Sequence, residues 1–379
     1  MMTTVELTKR QLQWKDEFKA FTDEVVAPSA AESDKTERIA PSLIEKLKEK
    51  GYLGSMLPKE YGGMGLDWVT VGMLNEELGR GCSSIRSLLT VHGMAALAIL
   101  RWGSDEQRHQ WLPGLADGSL VGAFALTERE VGSDAKSVQT TAVLTEDGYV
   151  LNGRKKWITM GQIADVYLLF AQCEGKPTAF LVPSDSPGFS RTPITGMMGV
   201  RGSMLAELRL EDCVIPQQNL LGLVGIGLSH VALNCLDYGR YTVACGCVGL
   251  GQACLEQSLQ YASQRKQFGA PLGDNQLIQK MLTEMAVNVK AARLLCCHAG
   301  HLREMMDPDS IMETWTAKYF ASGMVNKAAS DAVQIHGANG CSSDYPVERY
   351  MRDAKINEII EGTTQMHEML IARNMLSAT

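Results

Sequence analysis

Several features that would narrow a function at once are missing from these 379 residues. No basic stripe interrupts a chain of net charge −7 and pI about 5.6, which argues against a nucleic-acid partner. No apolar run approaches the roughly 20 residues of a bilayer span, so no membrane association is expected. The start, Met1-Met2-Thr3-Thr4-Val5-Glu6-Leu7, lacks a basic segment followed by an apolar one. No signal peptide is expected, and the chain reads as cytoplasmic. The ten cysteines have no small-scaffold spacing. Cys245, Cys247, Cys254, Cys296 and Cys297 fall in helical-looking runs and read as reduced, small apolar residues. Cys297 and His301 would share a helix face, but no second pair with ligand spacing accompanies Cys296-Cys297-His298, so no metal site is assigned. Gly249-Leu250-Gly251-Gln252-Ala253-Cys254 imitates a dinucleotide fingerprint, yet it follows no strand and ends in Cys. A nicotinamide-binding fold is rejected on that ground. Repeats and low-complexity segments are absent too.

What is present falls into three blocks. Residues 1–120 read as helical: Phe18, Phe21, Val25 and Val26 recur at helical spacing, as do Leu43, Ile44, Leu47 and Leu53, and Ser83 to Trp102 is one long helical stretch. Gly and Pro punctuate this block at Pro58, Gly62-Gly63, Gly65 and Pro113-Gly114. Residues 121–226 carry short β-branched or alternating runs separated by turns such as Glu146-Asp147-Gly148 and Asn152-Gly153, which predicts an antiparallel β domain. Residues 227–379 return to helical periodicity over about 227–264, 274–305 and 310–336, with a last helix near 346–360, which predicts a four-helix bundle. The fold class is therefore α+β in the order helices, β domain, bundle.

The most informative residue is Glu361. It follows Ile359-Ile360 and precedes Gly362-Thr363-Thr364, where Gly can end a helix at φ > 0. A carboxylate there is either a solvated helix end or a desolvated base with a raised pKa. In the β block, Phe124-Ala125-Leu126-Thr127-Glu128 and Val131-Gly132-Ser133-Asp134 precede Trp157-Ile158-Thr159. A hydroxyl can bond a ring nitrogen, an indole can cover a planar ring, and Gly132-Ser133 lets backbone N–H groups approach a phosphate. Ordinary strand and turn chemistry would also suffice. In the bundle, Arg265 precedes Lys266-Gln267-Phe268-Gly269 and Asn275-Gln276, and is either a phosphate clamp or a solvated helix end. Gln334-Ile335-His336-Gly337-Ala338-Asn339-Gly340 is a Gly-rich helix exit that suits a tight turn or a bound ligand.

Taken together, Leu126-Thr127-Glu128 with Gly132-Ser133-Asp134, Trp157-Ile158-Thr159, Arg265 to Gly269, Asp344 to Arg349, Met351-Arg352-Asp353-Ala354-Lys355 and Glu361-Gly362-Thr363 resemble the acyl-CoA dehydrogenase family nearly end to end. The resemblance implies an FAD enzyme that oxidises acyl thioesters. It places Phe124, Leu126 and Thr127 along the flavin edge, and Trp157, Ile158 and Thr159 on its other side. It gives Gly132 and Ser133 to the pyrophosphate or the thioester arm. Arg265, Gln334 and Gly337 would serve the FAD of a neighbouring subunit, and Thr363 and Gln365 its adenosine end, with Phe268 and Gln276 as further cofactor residues, so a homodimer or homotetramer is implied. The family usually has Gly where Ala338 stands. Glu361 matches the catalytic base. Some members carry the base at the position matched here by Gly239, which cannot serve.

The acyl group is suggested by Cys82-Ser83-Ser84-Ile85-Arg86-Ser87-Leu88-Leu89-Thr90, which matches the floor of the acyl pocket in that family. A buried Arg86 demands a partner. It would be either a protein acid such as Glu76 or Glu77, or an oxygen-rich substrate held by Arg86, Ser87, Thr90 and Arg240. The Arg-Ser pair is similar to that of glutaryl-CoA dehydrogenases. It is also similar to that of dehydrogenases forming hydroxymalonyl or aminomalonyl units on an acyl carrier protein for polyketide and nonribosomal-peptide assembly, and the second likeness is preferred. The expected partner is a short polar acyl thioester on a carrier protein or on CoA. A flavin-binding scaffold without activity is the reading from another class; retention of Glu361 argues against it.

Overall fold

The computed structural model describes residues 6–377. Six helices come first: α1 (Lys9–Phe21), α2 (Ala27–Thr36), α3 (Pro41–Glu49), α4 (Trp68–Gly81), α5 (Ser83–Trp102) and α6 (Asp105–Asp117). Thr8 and Ser104 open α1 and α6 with capping boxes, each side chain accepting the N–H three residues on. Pro113 and Gly114, expected to interrupt the chain, lie inside α6. Leu112, Leu115 and Ala116 are buried around them, and that packing sustains the helix. Helix α5 corrects a second expectation. By length and composition it could cross a membrane, but nearly all of it is buried within the fold, where it is the core helix.

The β domain follows as β1 (Gly122–Ala125), β2 (Thr141–Thr145), β3 (Gly148–Ile158), β4 (Val166–Cys173), β5 (Lys176–Pro183), β6 (Phe189–Pro193), β7 (Ala206–Ile215) and β8 (Leu220–Leu221). They form one sheet in the order β6-β7-β3-β2-β4-β5-β8, with β1 beside β4. The sheet is mixed, not purely antiparallel as expected. Both β1 and β2 pair with β4 in parallel, while hairpins such as β2–β3 and β4–β5 are antiparallel. Parallel neighbours need a crossover instead of a tight turn, so local turn signals could not show them.

The last block holds α7 (Leu233–Gln264), a short hairpin of β9 (Lys266–Gln267) and β10 (Ala270–Pro271), then α8 (Gln276–Glu304), α9 (Ser310–His336), α10 (Val347–Asn357) and α11 (Thr364–Ser377). The last expected helix stops at Asn357, short of Glu361, and α11 was not anticipated. Helices α7, α8 and α9 share a core of Val243, Ala244, Val248, Val289, Ala321 and Val325. Close approach is built in: a Cβ on Gly79 of α4 would sit 2.5 Å from the Gly246 carbonyl oxygen of α7, so only glycine fits there. The β domain is fastened to α10 by the Val200 N–H, which donates to Asp353 Oδ1 at 2.5 Å.

Candidate active site

Beyond Asn357 the chain makes a further turn in which the Ile360 N–H still donates to the Ile356 carbonyl at 3.1 Å. Glu361 then adopts φ 55° and Gly362 φ 94°. Gly362 was expected to be left-handed, but Glu361 is left-handed as well, at a cost of roughly 1–2 kcal/mol for a residue with a Cβ. Such a conformation persists only where the surroundings impose it. Arg240 Nε donates to the Glu361 carbonyl at 3.2 Å, and Lys318 Nζ donates to the Gly362 carbonyl at 2.8 Å. The Thr364 N–H closes the loop onto the Glu358 carbonyl at 3.1 Å, and α11 begins there.

This loop drives the Glu361 carboxylate into the bundle. A Cβ on Gly239 would lie 2.3 Å from Oε2 and 2.5 Å from Cδ, so the missing side chain at 239 is the space the carboxylate fills. Oε2 is sealed from solvent and has no hydrogen-bond partner among the described residues. Burial pushes the pKa up to about 7, while the charges of Arg240, Arg86 and Lys318 keep it from rising farther. Of the two readings open at Glu361, the desolvated carboxylate is the one observed.

Arg86 is 2% exposed on α5. Its Nη1 donates to Thr90 Oγ1 and its Nη2 to Asn357 Oδ1, both at 3.2 Å. Neither partner is charged. Glu76 is taken by Arg293 at 2.8 Å and Glu77 by Arg80 at 2.7 Å, so the protein acids considered for Arg86 are engaged elsewhere. Thr90 Oγ1 also meets Thr242 Oγ1 at 2.9 Å, and Thr242 donates to the Gly239 carbonyl at 3.0 Å. Ser87 is buried one residue along from Arg86. Arg86 and Arg240 thus face Glu361, as does Lys318, with Thr90 and Asn357 bonded to Arg86 and Thr242 to Thr90; the sequence reading missed three of these, Thr242, Lys318 and Asn357. Lys318 did leave a signal. It falls on the buried stripe of α9 with Thr314, Ala317, Ala321 and Ser322, a register where lysine is out of place. Asn357 left none.

In the β domain, the Lys156 N–H donates to the Thr127 carbonyl at 2.9 Å and joins the segment of Phe124 to Thr127 to that of Trp157 to Thr159. The buried Lys155 ammonium donates to the Leu126 carbonyl at 3.1 Å and to Glu128 Oε1 at 2.7 Å. Glu128 also accepts from the Gln139 and Thr140 N–H groups, which anchors the loop carrying Gly132 and Ser133. Trp157 stands at φ 63° with its indole 45% exposed. Thr127 and Thr159 are half-buried, Gly132 and Ser133 are exposed, and a Cβ on Gly132 would meet open space. Leu126 and Ile158 belong to the core, and Phe124 packs on Phe170 with ring centroids 5.2 Å apart. An exposed indole, flanking hydroxyls and an open Gly-Ser turn fit a planar cofactor with a phosphate tail.

The remaining expected cofactor residues lie elsewhere. Arg265 caps the far end of α7, 26 residues from Gly239 and so roughly 39 Å along the axis. The fully exposed Phe268 and Gly269, at φ 52° and 82°, form the tip of the hairpin that follows, and Gln276 opens α8, also exposed. Gln334 and Gly337 end α9 beside them, where Tyr261 stacks on His336 at 4.1 Å. Ala338 is not left-handed, so its Cβ is tolerated in the turn. Thr363 and Gln365 open α11, with the Met366 N–H donating to Thr363 Oγ1 at 3.3 Å.

The N-terminal, middle and C-terminal domain models of the acyl-CoA dehydrogenases match residues 8–119, 123–213 and 227–376. The chain belongs to the acyl-CoA dehydrogenase family. It is 38% identical to an acyl-CoA dehydrogenase of Bacillus subtilis over 99% of this chain and 100% of that one. It is similar to glutaryl-CoA dehydrogenase in complex with glutaryl-CoA, at TM-score 0.94 and 33% identity, covering 99% and 97% of the two chains. A third likeness is to FkbI, described as serving biosynthesis of the methoxymalonyl extender unit of a polyketide immunosuppressant, at TM-score 0.88 and 32% identity over 95% and 99%. The family comprises oxidoreductases acting on the CH–CH group of acyl thioesters, and its cofactor is FAD.

Proposed function

We propose that this chain oxidises a short, polar acyl group held as a thioester on an acyl carrier protein, converting 2-hydroxy- or 2-amino-3-oxopropionyl to hydroxymalonyl or aminomalonyl. The observation that carries the proposal is Arg86: a buried guanidinium whose hydrogen-bond partners among the described residues are neutral, its charge acting on Glu361 together with those of Arg240 and Lys318. Three buried cations face one carboxylate whose pKa is near 7. Asp353, Asp237 and Glu358 also lie near these cations, but among the described residues none forms an ion pair with Arg86, and an unpaired buried charge is costly. A fatty chain offers these cations nothing. An acyl group ending in a carboxylate, or in the hydrate of an aldehyde, offers oxygens that a guanidinium fork can grip.

The roles divide among the residues as follows. Glu361 takes the proton, from a hydroxyl of the C3 hydrate in the preferred substrate or from Cα in an ordinary acyl thioester. Its pKa near 7 suits a base that must work near neutrality. Arg86 and Arg240 steady the acyl oxygens, with Ser87 and Thr90 lining the floor. Phe124, Leu126, Thr127, Trp157, Ile158 and Thr159 hold the flavin ring, and Gly132 and Ser133 its phosphates or the thioester arm. FAD, when bound, supplies the acceptor for the hydride that leaves the substrate carbon. Arg265, Phe268, Gln276, Gln334 and Gly337 reach the FAD of a second copy, with Thr363 and Gln365 at its adenosine end, so the working form is a homo-oligomer.

Arg86 favours a second substrate equally well in charge, glutaryl-CoA, whose distal carboxylate would occupy the same fork. The test is anaerobic flavin bleaching with each thioester, followed by mass spectrometry of the carrier-bound product. Fast reduction by the carrier-bound substrate supports the proposal. Reduction by glutaryl-CoA alone overturns the carrier-protein reading, and no bleaching by any acyl thioester leaves a flavin-binding scaffold.

A further inference from the structure

We infer that Lys318 is a positioning residue for the base. Together with Arg240 it clamps the two consecutive carbonyls of the left-handed Glu361–Gly362 pair, with its ammonium facing the carboxylate alongside Arg240 and Arg86. The inference rests on the reading of Glu361 as the base.

The geometry is specific. Lys318 is wholly buried on α9, and its hydrogen bond goes to the Gly362 carbonyl at 2.8 Å. No acid forms an ion pair with it among the described residues. Burying an ammonium costs several kcal/mol. A neutral amide or hydroxyl could satisfy one carbonyl without that cost. The charge has an explanation in the Glu361 carboxylate, which Lys318 faces together with Arg240 from α7 and Arg86 from α5. Burial holds the Lys318 pKa down to about 8, and the opposing charge of Glu361 supports the ammonium.

The other groups facing this cluster do not replace Lys318. His367 of α11 packs on Gly362, but its Nδ1 is bonded to the Thr363 carbonyl at 3.0 Å. Burial and the Lys318 charge push its pKa down to about 4, so it is neutral. Glu358 and Cys247 lie near Lys318, Asp237 and Arg303 near Arg240, and Asp353 near Arg86. Arg240 holds the Glu361 carbonyl, which leaves Lys318 as the cation that fixes the next peptide. Without it the left-handed pair loses one of the two cation bonds that hold its carbonyls, and the carboxylate can leave its seat over Gly239.

The sign of the electrostatic effect follows directly. The Lys318 ammonium favours the carboxylate form of Glu361. Removing it lets burial raise the Glu361 pKa farther above about 7, so the base form appears only at higher pH. Two variants separate charge from hydrogen bond: Lys318→Gln keeps a donor for the Gly362 carbonyl, and Lys318→Met keeps the volume alone. In the FAD-loaded enzyme both should move the acid limb of kcat/KM upward by about one pH unit. Lys318→Met should also lower the pH-independent kcat by about tenfold through misplacement of the base.

Infrared titration gives a readout independent of turnover. The protonated-carboxyl band of Glu361, assigned by its loss in Glu361→Gln, should persist to higher pH in both variants. If both variants fold and retain FAD but neither the band nor the limb moves, Lys318 is structural and the inference is overturned. If Glu361→Gln keeps wild-type activity, the base reading fails, yet the infrared shift still reports whether Lys318 governs that carboxyl.

Discussion

The two ends of α7 are built on opposite plans. At the Gly239 end, a carboxylate and three cations are buried together and a backbone pair is held left-handed. At the Arg265 end, roughly 39 Å away by helix rise, arginine, glutamine and a fully exposed phenylalanine face outward. Proton transfer needs a group fixed to a fraction of an ångström in a dry setting, and one chain folding on itself provides that. Holding a long cofactor needs reach, and reach can be shared with a second copy.

The comparison can be broken at its most sensitive point by Glu361→Gln. Reduction of the flavin by substrate should fall by about 10²–10⁴-fold in stopped-flow measurements while FAD stays bound. In the unmodified enzyme, kcat/KM should rise with pH through about 7. The raised pKa keeps Glu361 protonated, and so useless as a base, below that value. Gly239→Ala comes next. Its methyl would sit 2.3 Å from Oε2, so the carboxylate must move, and kcat should drop about 100-fold with the fold intact by circular dichroism.

Arg86→Met tests the substrate side of the same end. Removing the buried charge should leave thermal stability unchanged or higher. It should cost about 100-fold in kcat/KM for thioesters ending in a carboxylate or hydrate, and leave plain short acyl thioesters untouched. Arg265→Ala, at the far end, should have the smallest effect. FAD should be released about tenfold more readily on dilution, followed by flavin fluorescence, while the pH dependence set by Glu361 does not change. A change in that pH dependence would show that the two ends are not independent.

How much of this was legible in sequence depended on distance along the chain. Glu361-Gly362 announced a turn, and Trp157-Ile158-Thr159 stood out as a motif, because each signal sits in neighbouring residues. Membership of the family was legible for the same reason, as ordered local motifs. Arg86 was legible as an oddity but its partners were not: Asn357 lies 271 residues away, and no local pattern marks it. Lys318 reaches Gly362 across 44 residues and shows in sequence only as a lysine on an apolar stripe. The parallel pairing of β1 and β2 with β4 and the helical fate of Pro113-Gly114 were misread because sheet neighbours and buried faces override local punctuation.

The sequence by itself determined the three-block order and the family, and it left Gly239 unable to serve as a base where Glu361 could, since side-chain chemistry and short spacing suffice for these. Only the tertiary structure decided that Glu361 is desolvated, that Arg86 pairs with no acid among the described residues, and that Gly239 is the seat of the carboxylate. Those facts depend on which distant groups exclude water from one another, and exclusion of water is a property of packing in three dimensions.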